Sequence, residues 1–136
     1  ENIEANGFEK ASQYIGDDGS VQLAVVIDNE GLLLANFVRG DYEPEDWAPF
    51  ALLLMQRNDD VLSRLGLKTP EKMEILFKNK KITVACEELY SLMVISERAI
   101  DDVLNIRINK GLEIIRNYIA ERYSNKLIGN LEKSYV

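Results

Sequence analysis

The chain has 136 residues, 46% of them hydrophobic and 29% charged, with three prolines and a formal net charge of −7, which suits one folded domain around one core. That negative balance argues against nucleic acid, which needs Lys and Arg to displace counterions from phosphates, and against an anionic membrane surface. Cys86 is the only cysteine, so no disulfide can form within the chain and the cytoplasm is the expected compartment.

The chain opens Glu1-Asn2-Ile3-Glu4, with no Met and without the basic and apolar regions of a signal peptide; the expectation is a trimmed chain or a piece of a longer protein. From about Ile3 to Ile15, residues Phe8, Ala11 and Ile15 fall on one helical face and predict a first helix, which Gly16-Asp17-Asp18-Gly19-Ser20 breaks. Val21 to Ile27 is almost wholly apolar, the pattern of a strand covered on both faces. Asp28-Asn29-Glu30-Gly31 then supplies turn chemistry before a second strand, Leu32 to Phe37, and the two form a hairpin.

A polar loop from Arg39 to Pro44 leads into a helix predicted from about Asp46 to Leu65. Pro44 or Pro49 belongs in its first turn, Glu43, Glu45 and Asp46 favour the positive end of the helix dipole, and Gly66 is the stop. At the helical period Trp47, Phe50, Ala51, Leu54, Val61, Leu62 and Leu65 form one broad stripe, while Leu52, Leu53 and Met55 fall on its flanks. The N-terminal half is therefore apolar around much of its circumference, with Gln56, Asp59, Asp60 and Ser63 marking a wet face further on. A helix that covers one sheet needs one stripe. Each large aliphatic side chain left in water forgoes roughly 1.5–3 kcal/mol, so the surplus is covered either by another part of the chain or by a second subunit.

Met73, Ile75 and Phe77 alternate with Glu74, Leu76 and Lys78 in a third strand. Asn79-Lys80 turns the chain, Lys81 to Glu87 returns with Ile82, Val84 and Cys86 on one face, and Leu89 to Ile95 reads as an inner strand. A last helix, starting between Arg98 and Val103, carries Leu104, Ile108, Leu112, Ile115, Tyr118 and Ile119 at helical spacing. Gly111 inside it costs about 1 kcal/mol against alanine, unless it lets the helix approach the sheet closely. Ser124 to Val136 reads as a tail, or as an extension of the helix through Leu127, Ile128 and Leu131. Residues 1–136 thus make a single domain with its core at about 8–123, and no apolar run approaches the roughly 20 residues that cross a bilayer. Helix, hairpin, helix, three-strand meander and helix, with central strands apolar on both sides, specify an α/β (α+β) three-layer sandwich.

Chemistry is hard to find. The chain has no histidine, which removes the usual neutral-pH acid–base group and the commonest transition-metal ligand, and one cysteine does not make a zinc site. No phosphate-binding G-x-x-x-x-G-K-[ST] or dinucleotide G-x-G-x-x-G occurs, so no cofactor is expected; no pair of carboxylates stands out for a hydrolase. Asp28 and Glu30 fit turn chemistry better than a cation loop. Cys86 fits a small buried apolar residue, Trp47 a core or interface aromatic, and Asn58 either a local hydrogen bond or a polar group setting register between subunits. Arg57 is either an interface residue or a solvated one, and Arg39 is a solvated loop arginine or an arginine finger.

Three stretches in this order carry a resemblance: Val25-Val26-Ile27-Asp28-Asn29-Glu30-Gly31-Leu32-Leu33-Leu34-Ala35, the helix end Leu62-Ser63-Arg64-Leu65-Gly66-Leu67, and Leu104-Asn105-Ile106-Arg107-Ile108. Together they make the chain, from about Phe8 to Tyr123, similar to the Roadblock family of dynein light chains and bacterial or archaeal regulators of Ras-like GTPases. The resemblance implies a five-stranded antiparallel sheet of order 2-1-5-4-3, with the long helix on one face and the N- and C-terminal helices on the other. It also implies a homodimer joined through the third strand and antiparallel middle helices. The implied interface is Phe50, Leu52, Leu53, Leu54, Met55, Arg57 and Asn58 on the helix, with Met73, Ile75 and Phe77 on the strand. Against such pairing stand Lys72, Lys78, Lys80 and Lys81, since lysines guard sheet edges; Glu74 or acidic groups of a partner's helix would neutralise them. The implied role is a non-catalytic cytoplasmic regulator or scaffold for a Ras-like small GTPase. A small-ligand sensory domain is the alternative, and it needs a cavity between sheet and helix with polar groups converging inside.

Overall fold

Asn6 begins the first helix by accepting a hydrogen bond from the Glu9 N–H at 3.0 Å, which satisfies one of the backbone donors a helix leaves free at its start. In the computed structural model, which describes residues 6–68, 70–98 and 102–134 and side chains through Tyr123, this helix, α1, spans Gly7–Gly16. Ile3, at the predicted start of that helix, lies outside the described residues, as do the side chains of Leu127, Ile128 and Leu131.

β1 (Val21–Asp28) and β2 (Leu33–Val38) follow. The Asp28 carboxylate closes their turn by accepting from the N–H groups of Glu30 and Leu32, both at 2.9 Å, and Gly31 takes the left-handed φ of 87° that the turn demands. Register slips between Val26 and Ile27, which face Ala35 and Leu33, so Leu34 is an extra residue on β2. α2 runs Pro44–Arg64. Pro44 occupies its first position, where the missing N–H costs nothing, but Pro49 lies more than a turn inside rather than in the first turn. Gly66, at φ 74°, ends the helix: its N–H bonds the Ser63 carbonyl and that of Leu67 bonds the Leu62 carbonyl, the paired closure of a Schellman motif.

β3 (Lys72–Leu76), β4 (Lys80–Cys86) and β5 (Tyr90–Glu97) form the meander, and α3 covers Val103–Ser134. The backbone beyond Tyr123 thus continues the helix. All neighbouring strands are antiparallel, in the order β2-β1-β5-β4-β3, so β1 and β5 are central and β2 and β3 lie at the edges. Val21, Ala24, Val26, Leu92 and Val94 pack against α1 and α3 on one face. Leu23, Val25, Ile27, Val84, Met93 and Ile95 pack against α2 on the other. The sandwich has the three layers that its doubly apolar central strands require.

α1 and α3 cross closely. A Cβ on Gly111 would lie 2.7 Å from the Ile15 Cδ1, and one on Gly7 would lie 2.3 Å from the Tyr118 Cβ. Gly111 therefore serves contact with α1 rather than with the sheet.

Candidate interaction surface

α2 shows which residues its sheet-facing side uses. Ala48 and Ala51 are buried, and Trp47, Leu52 and Met55 pack around them on the α2 side of the core. The sheet-facing stripe is thus rotated from the one that large residues alone suggest, with Leu52 and Met55 part-buried against their own chain. The surplus survives on the opposite side: Phe50, Leu53 and Val61 are 42%, 53% and 59% exposed. With the part-buried Leu54 and the exposed Arg57 they follow the spacing i, i+3, i+4, i+7 and i+11, one continuous outward stripe. Asn58 is exposed and donates from Nδ2 to the Leu54 carbonyl at 2.6 Å, the local bond expected of a mid-helix asparagine.

Phe50 is held in place by a ladder of rings. It meets Trp47 edge-on at 5.3 Å between centroids, and Trp47 meets Tyr42 at 5.7 Å. The Lys80 amine donates to the Tyr42 hydroxyl at 2.8 Å. An aromatic residue on a helix surface is therefore buttressed from β4, an arrangement that lowers the entropy lost when a partner covers it.

β3 supplies the second part of the surface. The Phe77 N–H bonds the Lys80 carbonyl and the Cys86 N–H bonds that of Glu71, both at 2.8 Å. With Met73 opposite Val84 and Ile75 opposite Ile82, the odd-numbered residues direct their backbone groups toward β4. Antiparallel strands alternate, so Lys72, Glu74 and Leu76 direct theirs toward the open edge. The side chains of Met73 and Ile75 are part-buried on the α2 side, and Phe77 is 51% exposed. The lysines that would guard this edge are partly occupied within the chain. Lys72 donates to Asn105 Oδ1 on α3, not to Glu74, and Lys80 is held by Tyr42.

Arg39, the loop arginine, is neither solvated nor free to act as a finger. Its guanidinium donates to the carbonyls of Gly16, Asp18 and Val21 at 2.5 to 3.0 Å and lies over the Phe37 ring at 4.9 Å. It fastens the α1–β1 loop to the end of β2. A cluster of backbone acceptors has no sequence signature, which is why this role is invisible without coordinates. Beside it, burial works to raise the Asp18 carboxyl, but two hydrogen bonds from Ser20, with Arg107 and Arg39 nearby, outweigh it and hold the group below its ordinary value of 3.8. Cys86 is part-buried, and burial, then Asp59 and Glu87, push its thiol upward, so it stays protonated near neutral pH.

No group of three or more His, Cys, Asp or Glu positioned to hold a metal occurs among the described residues, and no described helix is long and apolar enough to cross a membrane. A groove of about 530 Å³, lined by Phe8, Leu89, Tyr118, Ile119, Arg122 and Tyr123, runs along the outside between α1, α3 and the β4–β5 turn. It is not the space between sheet and helix that a sensory domain would use.

No protein-family model and no curated protein matches the sequence. Solved structures match the fold. Myxococcus xanthus MglB superposes with a TM-score of 0.77 at 10% identity, over 88% of this chain and 99% of that one. The gliding protein MglB from Thermus thermophilus gives 0.71 at 13% identity over 88% and 95%. A Roadblock/LC7 domain from Streptomyces avermitilis gives 0.70 at 15% identity over 87% and 99%. At such identities the likeness is one of fold.

Proposed function

We propose, from the Roadblock/LC7 fold that this chain shares with those structures, that the protein is a non-catalytic homodimeric regulator or scaffold for a Ras-like small GTPase. The observation that carries the reading is the outward stripe Phe50, Leu53 and Val61 on the helix that covers the sheet face bearing Met73 and Ile75. Exposed apolar surface of this kind is usually covered by a partner. A two-fold axis beside β3 would lay two such stripes against each other while pairing the open edges, the self-complementary arrangement that a symmetric dimer requires. The link to a GTPase comes from the family resemblance. A regulator without its own catalytic groups acts by favouring one arrangement of the GTPase's switch segments, and it shifts hydrolysis only as far as its affinities for the two arrangements differ.

Two measurements test the two halves of the reading. Light scattering at high micromolar concentration is expected to give the mass of two chains; a single-chain mass overturns the homodimer. Small Ras-like GTPases of the source organism, loaded with GDP or with a non-hydrolysable GTP analogue, are expected to co-elute with the protein in one nucleotide state more than in the other. Failure of every such GTPase to bind in either state removes the regulatory role.

A further inference from the structure

We infer that Glu74 lies on the two-fold axis of the subunit contact, with β3 antiparallel to the partner's β3 along its whole length. This rests on the homodimer reading above and states which residues meet. Only Lys72, Glu74 and Leu76 direct backbone N–H and C=O groups outward from β3, and in an antiparallel pair such residues must face one another. A two-fold register that bonds more than one of them therefore has its axis at Met73, Glu74 or Ile75.

An axis at Met73 sets Lys72 against the partner's Glu74, a favourable pair, but leaves Leu76 against Pro70, which has no N–H and stands outside the strand. An axis at Ile75 sets Met73 against Phe77, also favourable, but leaves Lys72 facing Lys78 in the turn. The axis at Glu74 alone matches Lys72 with Leu76 and bonds every outward backbone group on both chains. On the α2 side it brings Met73 against the partner's Ile75 twice, in the closely approaching non-hydrogen-bonded positions. Like the other two, this axis keeps both α2 helices on one face of the joined sheet. Its cost is that the two Glu74 carboxylates stand opposite each other. Glu74 is exposed, so water screens the repulsion, and each carboxylate has the partner's Lys72 as a diagonal neighbour within reach of a long side chain. The additional backbone bonds outweigh one screened like-charge pair.

Cysteine cross-linking decides the register. In a Cys86→Ser background, Met73→Cys, Glu74→Cys and Ile75→Cys each place one thiol per chain, and only the residue on the axis sits opposite its own copy. Glu74→Cys is expected to form the disulfide-linked dimer at least tenfold faster than the other two. Faster linkage through Met73→Cys or Ile75→Cys overturns the inference. If light scattering gives one chain, the homodimer itself fails; if it gives two and none of the cysteines links, the homodimer stands and the β3 contact falls. Glu74→Gln, which keeps the exposed position polar, removes the facing charges and is expected to tighten the dimer about two- to fivefold. An unchanged or weaker dimer counts as refutation.

Discussion

Arg39 reaches three carbonyls across the α1–β1 junction and the face of Phe37, so its removal takes a donor from each of three partly buried acceptors, of which the Asp18 carbonyl keeps the Val21 N–H. Arg39→Ala is expected to destabilise the fold by roughly 2–3 kcal/mol, read as a lower urea midpoint with an unchanged slope. Arg39→Lys is expected to restore only part of this, because an ammonium cannot spread donors across three acceptors as a guanidinium does. Asp18, in the same loop, ties stability to pH. Its carboxyl is held below 3.8 in the folded protein, so the folded state favours the charged form. That contribution is fully present above the unfolded value and is lost as pH falls through the folded one. Asp18→Asn is expected to lower stability at neutral pH and to make acid unfolding over that range shallower, as followed by circular dichroism. Asp18 and Ser20 are recognisable in sequence as a turn; the arginines that reinforce the charge are not, because they come from distant parts of the chain.

Element by element, hydrophobic periodicity exposes type better than orientation. The long middle helix, its stop at Gly66, the hairpin and the meander are all readable from spacing and turn residues. The rotation of α2 is not, because its sheet contact is made by Ala48 and Ala51. Small residues let the helix approach β1 and β2 closely, whereas a reading weighted by side-chain size gives the stripe to larger neighbours. Glycines at the α1–α3 crossing carry the same information in a form easily mistaken for a defect. Gly7→Ala would drive its Cβ into the Tyr118 Cβ and ring, atoms fixed near the backbone, and is expected to cost about 1–3 kcal/mol by overpacking. Gly111→Ala meets the far end of Ile15 and regains about 1 kcal/mol of helix propensity. Thermal melts of the two variants are expected to rank Gly7→Ala as the more damaging.

For the molecule as a whole, the layers follow from the strand pattern, but the sheet order rests on the family resemblance, since composition does not say which strands meet. The candidate interface divides in the same way. Phe50 and Leu53 are outward, whereas Leu52 and Met55 contribute to the fold itself, and that distinction needs coordinates. Leu53→Asp is expected to leave the circular dichroism spectrum and melting temperature nearly unchanged while converting the proposed dimer to single chains. Leu52→Asp, placing a charge against the core and beside Gly31, is expected to cost several kcal/mol in folding stability. If both variants fold and both remain dimeric, α2 is not the contact.

The pairing of β1 with β5 also has a consequence for biosynthesis. Val21 is bonded beside Ser96 and Asp28 beside Tyr90, and the Asn29 amide, across the same end, holds the Glu88 carbonyl at 2.9 Å. A nascent chain therefore carries its most apolar strand out of the ribosome with one margin unbonded until the meander has followed it. Loop closure over that distance is slow, and an unprotected strand is a target for aggregation. Fragments ending before Tyr90 are expected to depend on chaperones for solubility, while the complete seam closes the chain from both ends at once.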